Sequence, residues 1–258
     1  MTIVAAVLVG LAIGVVLGAL GGGGAIITIP VLAYGFGMGI LESTTASLVI
    51  IGSSSLVAVV AHARTGRVDW GRGLAFAGIG TIGAVAGSFL ARGLDPNLLM
   101  LAFGALLALV ASLMLRPWRP RDADARPASL RHPRTLVATV LAALLVGALT
   151  GFFGVGGGFA IVPALTLLLR LPIRTAAATS LLVIAINSAA ALVSKLGLGV
   201  HLDWPFVAAF TLATTVGSLG GVRVAGRADP VLLTRAFAIL LLAVSAHTLI
   251  STGLTLAG

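Results

Sequence analysis

Charged side chains fall at only a few places along this chain, and the stretches between them are apolar for the length of a membrane-crossing helix. Residues 1–41 carry no charge, nor do residues 135–169, and further apolar runs cover 44–62, 73–91, 96–115, 175–194, 204–222 and 230–250. Crossing the hydrocarbon layer takes about 20 residues in helical form. Each uncharged stretch therefore has room for a pair of spans, and the pattern predicts ten. Uninterrupted runs of this length argue against the short alternating segments of an outer-membrane barrel.

The spans fall into two copies of one pattern. Gly18-x-x-Gly21-x-Gly23-Gly24 followed by Pro30 returns as Gly151-x-x-Gly154-x-Gly156-Gly157 followed by Pro163, at an offset of 133 residues. At that offset Ser47-Leu48 meets Ser180-Leu181, Ser54-Ser55 meets Asn187-Ser188, and His62 meets Lys195. After one inserted residue, Asp69-Trp70 meets Asp203-Trp204, Gly83 and Gly87 meet Gly217 and Gly221, and Asp95-Pro96 meets Asp229-Pro230. Residues 1–115 thus form a first transmembrane repeat and 135–258 a second. Between them, 116–134 reads as a polar linker with four Pro and six Arg.

Arginine placement orients the repeats. With five crossings each, Arg64, Arg67, Arg72, the six linker Arg, Arg170, Arg174, Arg223, Arg227 and Arg235 collect on the linker side, and only Arg92 and Lys195 lie opposite. The rival topology has eight crossings with the glycine segments dipping in as re-entrant elements, and it splits the cations ten against six. The first obeys the positive-inside rule far better. An odd number of crossings per copy inverts the halves, with a cytoplasmic linker and both termini outside.

Composition excludes other classes. Of 258 residues 59% are hydrophobic and 9% charged, against roughly 25% charged in a soluble domain, and the mean hydropathy is +1.17. That rules out a soluble globular chain and a disordered one. A net charge of +9 can suggest nucleic acid, but cations at the ends of apolar runs fit a membrane protein with no nucleic-acid partner. Without cysteine there are no disulfides or thiolate metal sites, and no cofactor is expected. Met1-Thr2-Ile3 lacks a positive leader region, so the first run is expected to be retained as a span.

Inverted halves with glycine- and proline-broken spans at matching positions point to a transporter site near the bilayer midplane. Gly22, Gly23 and Gly24, with Gly156, Gly157 and Gly158, let the backbone leave helical geometry. A helix restarting after each break turns its N–H groups toward the gap, where they favour an anion. Glycines that only permit close packing are the plain alternative. In the next helix Ser47 and Ser54, and their counterparts Ser180 and Asn187, share one face and could donate to an oxyanion, though interhelical bonding also explains them. His62 and Lys195, farther along that face, could draw anions to the two mouths. His62 could also carry a proton, the alternative being basic residues reaching for head groups. Glu42 most simply favours the helix N-terminus it begins, with proton coupling the lesser reading. Asp69, Asp95, Asp203 and Asp229 read as caps, Trp70 and Trp204 as interfacial anchors, and Gly83-x-x-x-Gly87 and Gly217-x-x-x-Gly221 as packing faces. Gly78-Ile-Gly80-Thr-Ile-Gly83 spells a dinucleotide fingerprint inside an apolar span with no preceding strand, and is set aside.

With GALGGGGAIITIP at 18–30, GFFGVGGGFAIVP at 151–163, Ala46-Ser47-Leu48, Thr179-Ser180-Leu181, Asn187-Ser188, Val68-Asp69-Trp70 and Leu202-Asp203-Trp204, the chain resembles the TauE/SafE sulfite exporter (TSUP) permeases over nearly its whole length. The resemblance implies secondary transport of small sulfur-containing anions, such as sulfite, thiosulfate or organosulfonates, across the bacterial cytoplasmic membrane. Ser54 in place of Asn187, and Ala25 in place of Gly158, make the halves unequal contributors to substrate contact. The reading is an alternating-access transporter with a small anion and the bilayer as partners, protons as a candidate coupling ion, and self-association left open. Its rivals are a passive anion channel and a carrier of a non-sulfur organic anion. An intramembrane enzyme is disfavoured, since no HExxH, GxSxG or paired membrane carboxylates occur.

Overall fold

The computed structural model describes residues 2–90, 96–115, 133–153, 158–195 and 202–257, and among them the regular structure is helical throughout. The first copy holds α1 (Thr2–Leu20), α2 (Gly23–Pro30), α3 (Ile40–Ala63), α4 (Trp70–Leu90) and α5 (Pro96–Leu115). The second holds α6 (Pro133–Phe153), α7 (Gly158–Pro163), α8 (Ile173–Lys195), α9 (Trp204–Arg227) and α10 (Pro230–Ala257). Six helices among the described residues are long and apolar enough to cross a membrane, and the chain is an all-α polytopic membrane protein.

Pro30 and Pro163 act alike. A proline has no N–H and its ring crowds the preceding turn, and each short helix widens just past it into a π-helical turn, Val31–Gly35 and Ala164–Leu168. Phe36 N–H donates to the Val31 carbonyl as Leu169 N–H does to Ala164, at 3.2 Å in both, and Met38 to Leu32 as Leu171 to Leu165. The turn after the first bulge uses Gly37 at φ +70, and its counterpart 133 residues later is Arg170 at φ +53.

Helices of one copy pack on helices of the other. Gly14 of α1 lies against the Thr214 carbonyl of α9, and Gly147 of α6 against the Gly80 carbonyl of α4, so close that an added Cβ would sit 2.1 Å from either oxygen. Gly217 meets the Leu11 carbonyl as Gly83 meets that of Leu144, and Gly221 meets Val15 as Gly87 meets Ala148. These are the same three contacts in two places. Backbones approach this closely only where side chains are missing, the usual small-residue seam of membrane helices. Residue numbers rise together across both seams, so α1 runs parallel to α9, and α4 to α6. Gly220, on the same helix as Gly217, has nothing within 4 Å of an added Cβ, whereas at Gly217 that atom would lie 2.2 Å from the Leu11 oxygen. Gly217→Ala is therefore expected to lower the thermal midpoint by the equivalent of about 1–3 kcal/mol. Gly220→Ala should raise it by up to about 1 kcal/mol through helix propensity. Equal shifts in a melting assay of the two purified variants would discount the seam.

In the interior α3 crosses α8, with Gly52 against the Ser188 side chain, and both helices are buried along much of their length, at Ala46, Ile50 and Ala58 and at Ala176, Leu181 and Ile184. At the flank α5 packs on α10, where Ser245 Oγ donates to the Gly104 carbonyl at 2.7 Å.

Candidate functional site

The uncharged stretch 1–41 folds as one long helix and a short returning arm. Gly21 ends α1 at φ +77, a left-handed conformation that glycine adopts without strain. The chain then reverses, so that Gly24 packs on Leu17 and the Ile13 carbonyl, and Gly23 on Val16 and Leu20. Continued through its π turn, the arm is an apolar helix over Gly23–Gly35, roughly 20 Å long at 1.5 Å per residue. At its far end the Phe36 ring meets Phe206 edge-on, 5.0 Å between centroids, and Phe210 at 6.1 Å. Both belong to the first two turns of α9, so the arm returns the chain to the side on which α1 begins.

The glycine turn of the first copy touches the start of α7 in the second. A Cβ on Gly22 would fall 1.6 Å from the Gly158 carbonyl oxygen, and one on Gly158 would meet Ala25, Ile184 and the Gly22 carbonyl at 3.0–3.2 Å. The turn at Gly21 rests on α8, where an added Cβ would lie 2.4 Å from Ser180 Oγ and 2.8 Å from the Ala177 carbonyl. Gly22, Gly23, Gly24, Gly158 and Ser180 are thus brought together. Gly156 and Gly157 lie outside the described residues.

The polar face behaves differently from a simple ring of donors. Ser47 Oγ donates to the Thr44 carbonyl at 2.9 Å and Ser180 Oγ to Ala177 at 2.8 Å, the same back-bond in each copy. Their protons are occupied within their own helices, so as placed they offer lone pairs rather than donors. Ser54 Oγ pairs with Thr215 Oγ1 of α9 at 3.1 Å. Asn187 Oδ1 and Ser55 Oγ are buried without a hydrogen-bond partner, Asn187 beside Ser188 and Ser55 one turn beyond Gly52, where α3 and α8 cross. A half-turn of the Asn187 amide would present N–H groups there instead. An orphaned buried polar atom costs about 1–3 kcal/mol, which a ligand group would recover.

His62, 1% exposed, lies beside the last turn of α1, with Nε2 3.2 Å from the Gly18 carbonyl and Nδ1 unpartnered. It ties α3 to the segment that ends in the Gly21 turn and is not a mouth residue facing solvent. Lys195 closes α8, and its side chain lies outside the described residues. Glu42 occupies the first turn of α3, away from the glycine turns in sequence and where a negative charge suits the helix dipole. Capping by Asp69, Asp203 and Asp229 is present, the acceptors of Arg72, Phe206 and Val231 N–H respectively. Asp95 lies outside the described residues. Trp70 and Trp204 are both exposed, as anchors require.

Sequence reasoning missed Ser55 as an orphaned hydroxyl, Thr215 as the partner of Ser54, and the Asp69–Arg72 ion pair. A position-by-position comparison of the copies carries a signal for the last, because Arg72 falls on Phe206 in otherwise similar segments.

Comparison with known proteins places the chain in a family. The profile of the sulfite exporter TauE/SafE family matches residues 6–248. The chain belongs to the TauE/SafE sulfite exporter family. It is 35% identical over 247 residues to a "Probable membrane transporter protein" of Xylella fastidiosa strain 9a5c, covering 92% of this chain and 91% of that protein. To "Probable membrane transporter protein YunE" of Bacillus subtilis it is 29% identical, covering 87% of this chain and 89% of the relative. No solved structure matches. This TauE/SafE protein is a multi-pass membrane transporter, and Gly22 and Gly158 lie within the matched region.

Proposed function

We propose that this TauE/SafE transporter carries a small sulfur-containing oxyanion, sulfite or thiosulfate or an organosulfonate, across a bacterial cytoplasmic membrane by alternating access. The observation that carries the reading is the meeting of the Gly22 turn with Gly158 at the start of α7, beside α8, whose crossing with α3 holds unpartnered polar atoms on Ser55 and Asn187. Turns of this kind leave backbone N–H groups without helical partners. At membrane depth such groups must find protein, water or solute. A desolvated oxyanion meets them on mutually favourable terms.

The inverted arrangement is part of the proposal. His62 at the end of α3 meets Gly18 at the end of α1, so these helices run the same way, and the short 64–69 connection sends α4 back. Since α9 is parallel to α1, it opposes its counterpart α4. This supports two copies of opposite orientation, with the linker on the cytoplasmic face. The bodies that move are then not the sequence halves. The α1–α9 and α4–α6 seams each join one copy to the other at backbone distance, and the looser side-chain crossing of α3 on α8 separates them. His62, tied to the Gly18 carbonyl beside the break, is the candidate carrier of a coupled proton.

The test is thermal unfolding of purified protein with sulfite, thiosulfate, sulfoacetate, sulfate, chloride and a neutral control. A transported anion at about 100 times its dissociation constant stabilises the fold by about 2.7 kcal/mol. Stabilisation by a sulfur oxyanion and not by chloride is expected. A flat response across the panel would overturn the substrate class.

A further inference from the structure

The two ends of the pseudo-symmetric fold are chemically unlike at one register position. At the end where α1 and α9 begin, Phe206 in the first turn of α9 meets Phe36 edge-on. At the end where α4 and α6 begin, which joins the linker, the counterpart is Arg72, 2% exposed in the first turn of α4. The fold accepts an apolar ring at this place, so it does not require an arginine. The arginine is also badly placed for stability alone, since a helix N-terminus carries positive potential and disfavours a cation, and burial adds a desolvation cost. Asp69 offsets both, its carboxylate taking the Arg72 guanidinium while also accepting the Arg72 N–H at 3.0 Å as the helix cap. Asp203, the counterpart cap, has Phe206 at that position and accepts its N–H at 3.3 Å.

Position ties this pair to the glycine turns. Asp69 N–H donates to Thr179 Oγ1 of α8 at 3.0 Å, and the next residue, Ser180, is the one on which the Gly21 turn rests. Gly73 packs on the side chains of Thr179 and Leu182. A second departure lies at the same end. Arg170 occupies a left-handed backbone position that its counterpart Gly37 fills without strain, and strain of that kind gathers at functional sites.

Resting on the anion-transport reading, we propose that Arg72 is the residue that receives the transported oxyanion from the linker side, with Asp69 as its resting counter-ion. A guanidinium presents paired N–H donors that fit an oxyanion as well as they fit a carboxylate. Exchange of Asp69 for the incoming anion preserves the charge balance around Arg72, so the solute is admitted without an unpaired buried cation at any step. At the opposite end the equivalent position is held by an aromatic cluster of Phe36, Phe206 and Phe210. The carrier is therefore asymmetric: it recognises its anion by charge on the linker face and by exclusion on the other.

The test is sulfite and thiosulfate flux in sealed proteoliposomes of defined protein orientation, with substrate presented to one face at a time. Arg72→Gln should raise the half-saturating concentration on the linker face by about tenfold or more, the loss of one charge-assisted contact, with a change of under about twofold on the opposite face by the same scale. Asp69→Asn keeps a capping side chain and removes the competing charge, so half-saturation on the linker face should fall. The double variant Asp69→Asn/Arg72→Gln leaves no unpaired acid and guards against misfolding of the single one. It should show the same one-sided loss. Unchanged half-saturation on the linker face in the folded double variant, or equal changes on both faces, overturns the role of Arg72 while leaving the transport reading intact. Absence of saturable flux of either anion by the wild type, from either face, overturns the transport reading itself and this assignment with it.

Discussion

Gly22→Ala is expected to reduce anion flux by about 10- to 100-fold with little change in membrane expression. The methyl group would enter 1.6 Å from the Gly158 carbonyl oxygen, about 2 Å inside ordinary contact distance. Neither partner can rotate away, because both are backbone. The turns must therefore separate, and the state in which they touch becomes less stable by the 1–3 kcal/mol typical of overpacking, or roughly a 5- to 150-fold shift in its population. A transport cycle that passes through that state slows in proportion. Gly78→Ala is the matched control, since an added Cβ at Gly78 meets nothing within 4 Å. Flux in proteoliposomes, normalised to protein that elutes as a single species, separates the effects. Wild-type flux in Gly22→Ala would remove the touching turns from the mechanism.

Most of this architecture is legible in the sequence because membrane helices announce themselves by composition and because the duplication repeats its punctuation. Gly21, Pro30 and Pro163 mark where helical geometry fails, with a left-handed turn at Gly21 and π turns after both prolines. The packing glycines at 83, 87, 217 and 221 are seams, as their spacing suggested. What they pack against was not legible, because a small-residue face says that a backbone approaches and not whose. The exchange of α1 with α9 and of α4 with α6 between copies is such a case. Hydroxyl direction was equally hidden: Ser47 and Ser180 lie on the expected face and yet bond back to their own helices. A serine hydroxyl has three rotamers and an i−3 carbonyl always within reach, so face assignment does not fix its donor. Arg72 was read as one more cation of the linker side, since a positive-inside count cannot tell a solvated arginine from one buried against Asp69.

Cysteine pairs test which parts move. The native chain has no cysteine, so each double variant can form one intramolecular disulfide and no other. In Gly10→Cys/Ala213→Cys the bridge joins α1 to α9 along their seam, where a Cβ on Gly10 lies 3.0 Å from that of Ala213. In Ala25→Cys/Gly158→Cys it joins the first turns of α2 and α7, beside the Gly22 contact, with 3.2 Å between the corresponding atoms. Both separations fall short of the ~3.5–4.5 Å range of a disulfide by a similar amount, so each pair must part by several tenths of an ångström to close, and the two differ mainly in what they tie together. If α1 and α9 travel as one body, the first bridge leaves flux within about twofold of its reduced form. If the turns part to let the anion through, the second lowers flux at least about tenfold, and reduction restores it. A twofold change is about 0.4 kcal/mol and a tenfold one 1.4 kcal/mol in rate, so the outcomes are well separated, and expressing each as oxidised over reduced removes any effect of the substitutions themselves. Should the seam bridge stop transport while the turn bridge does not, the sequence halves rather than the exchanged helix pairs would be the moving bodies, and the contact between Gly22 and Gly158 would be a fixed hinge instead of the opening through which the solute passes.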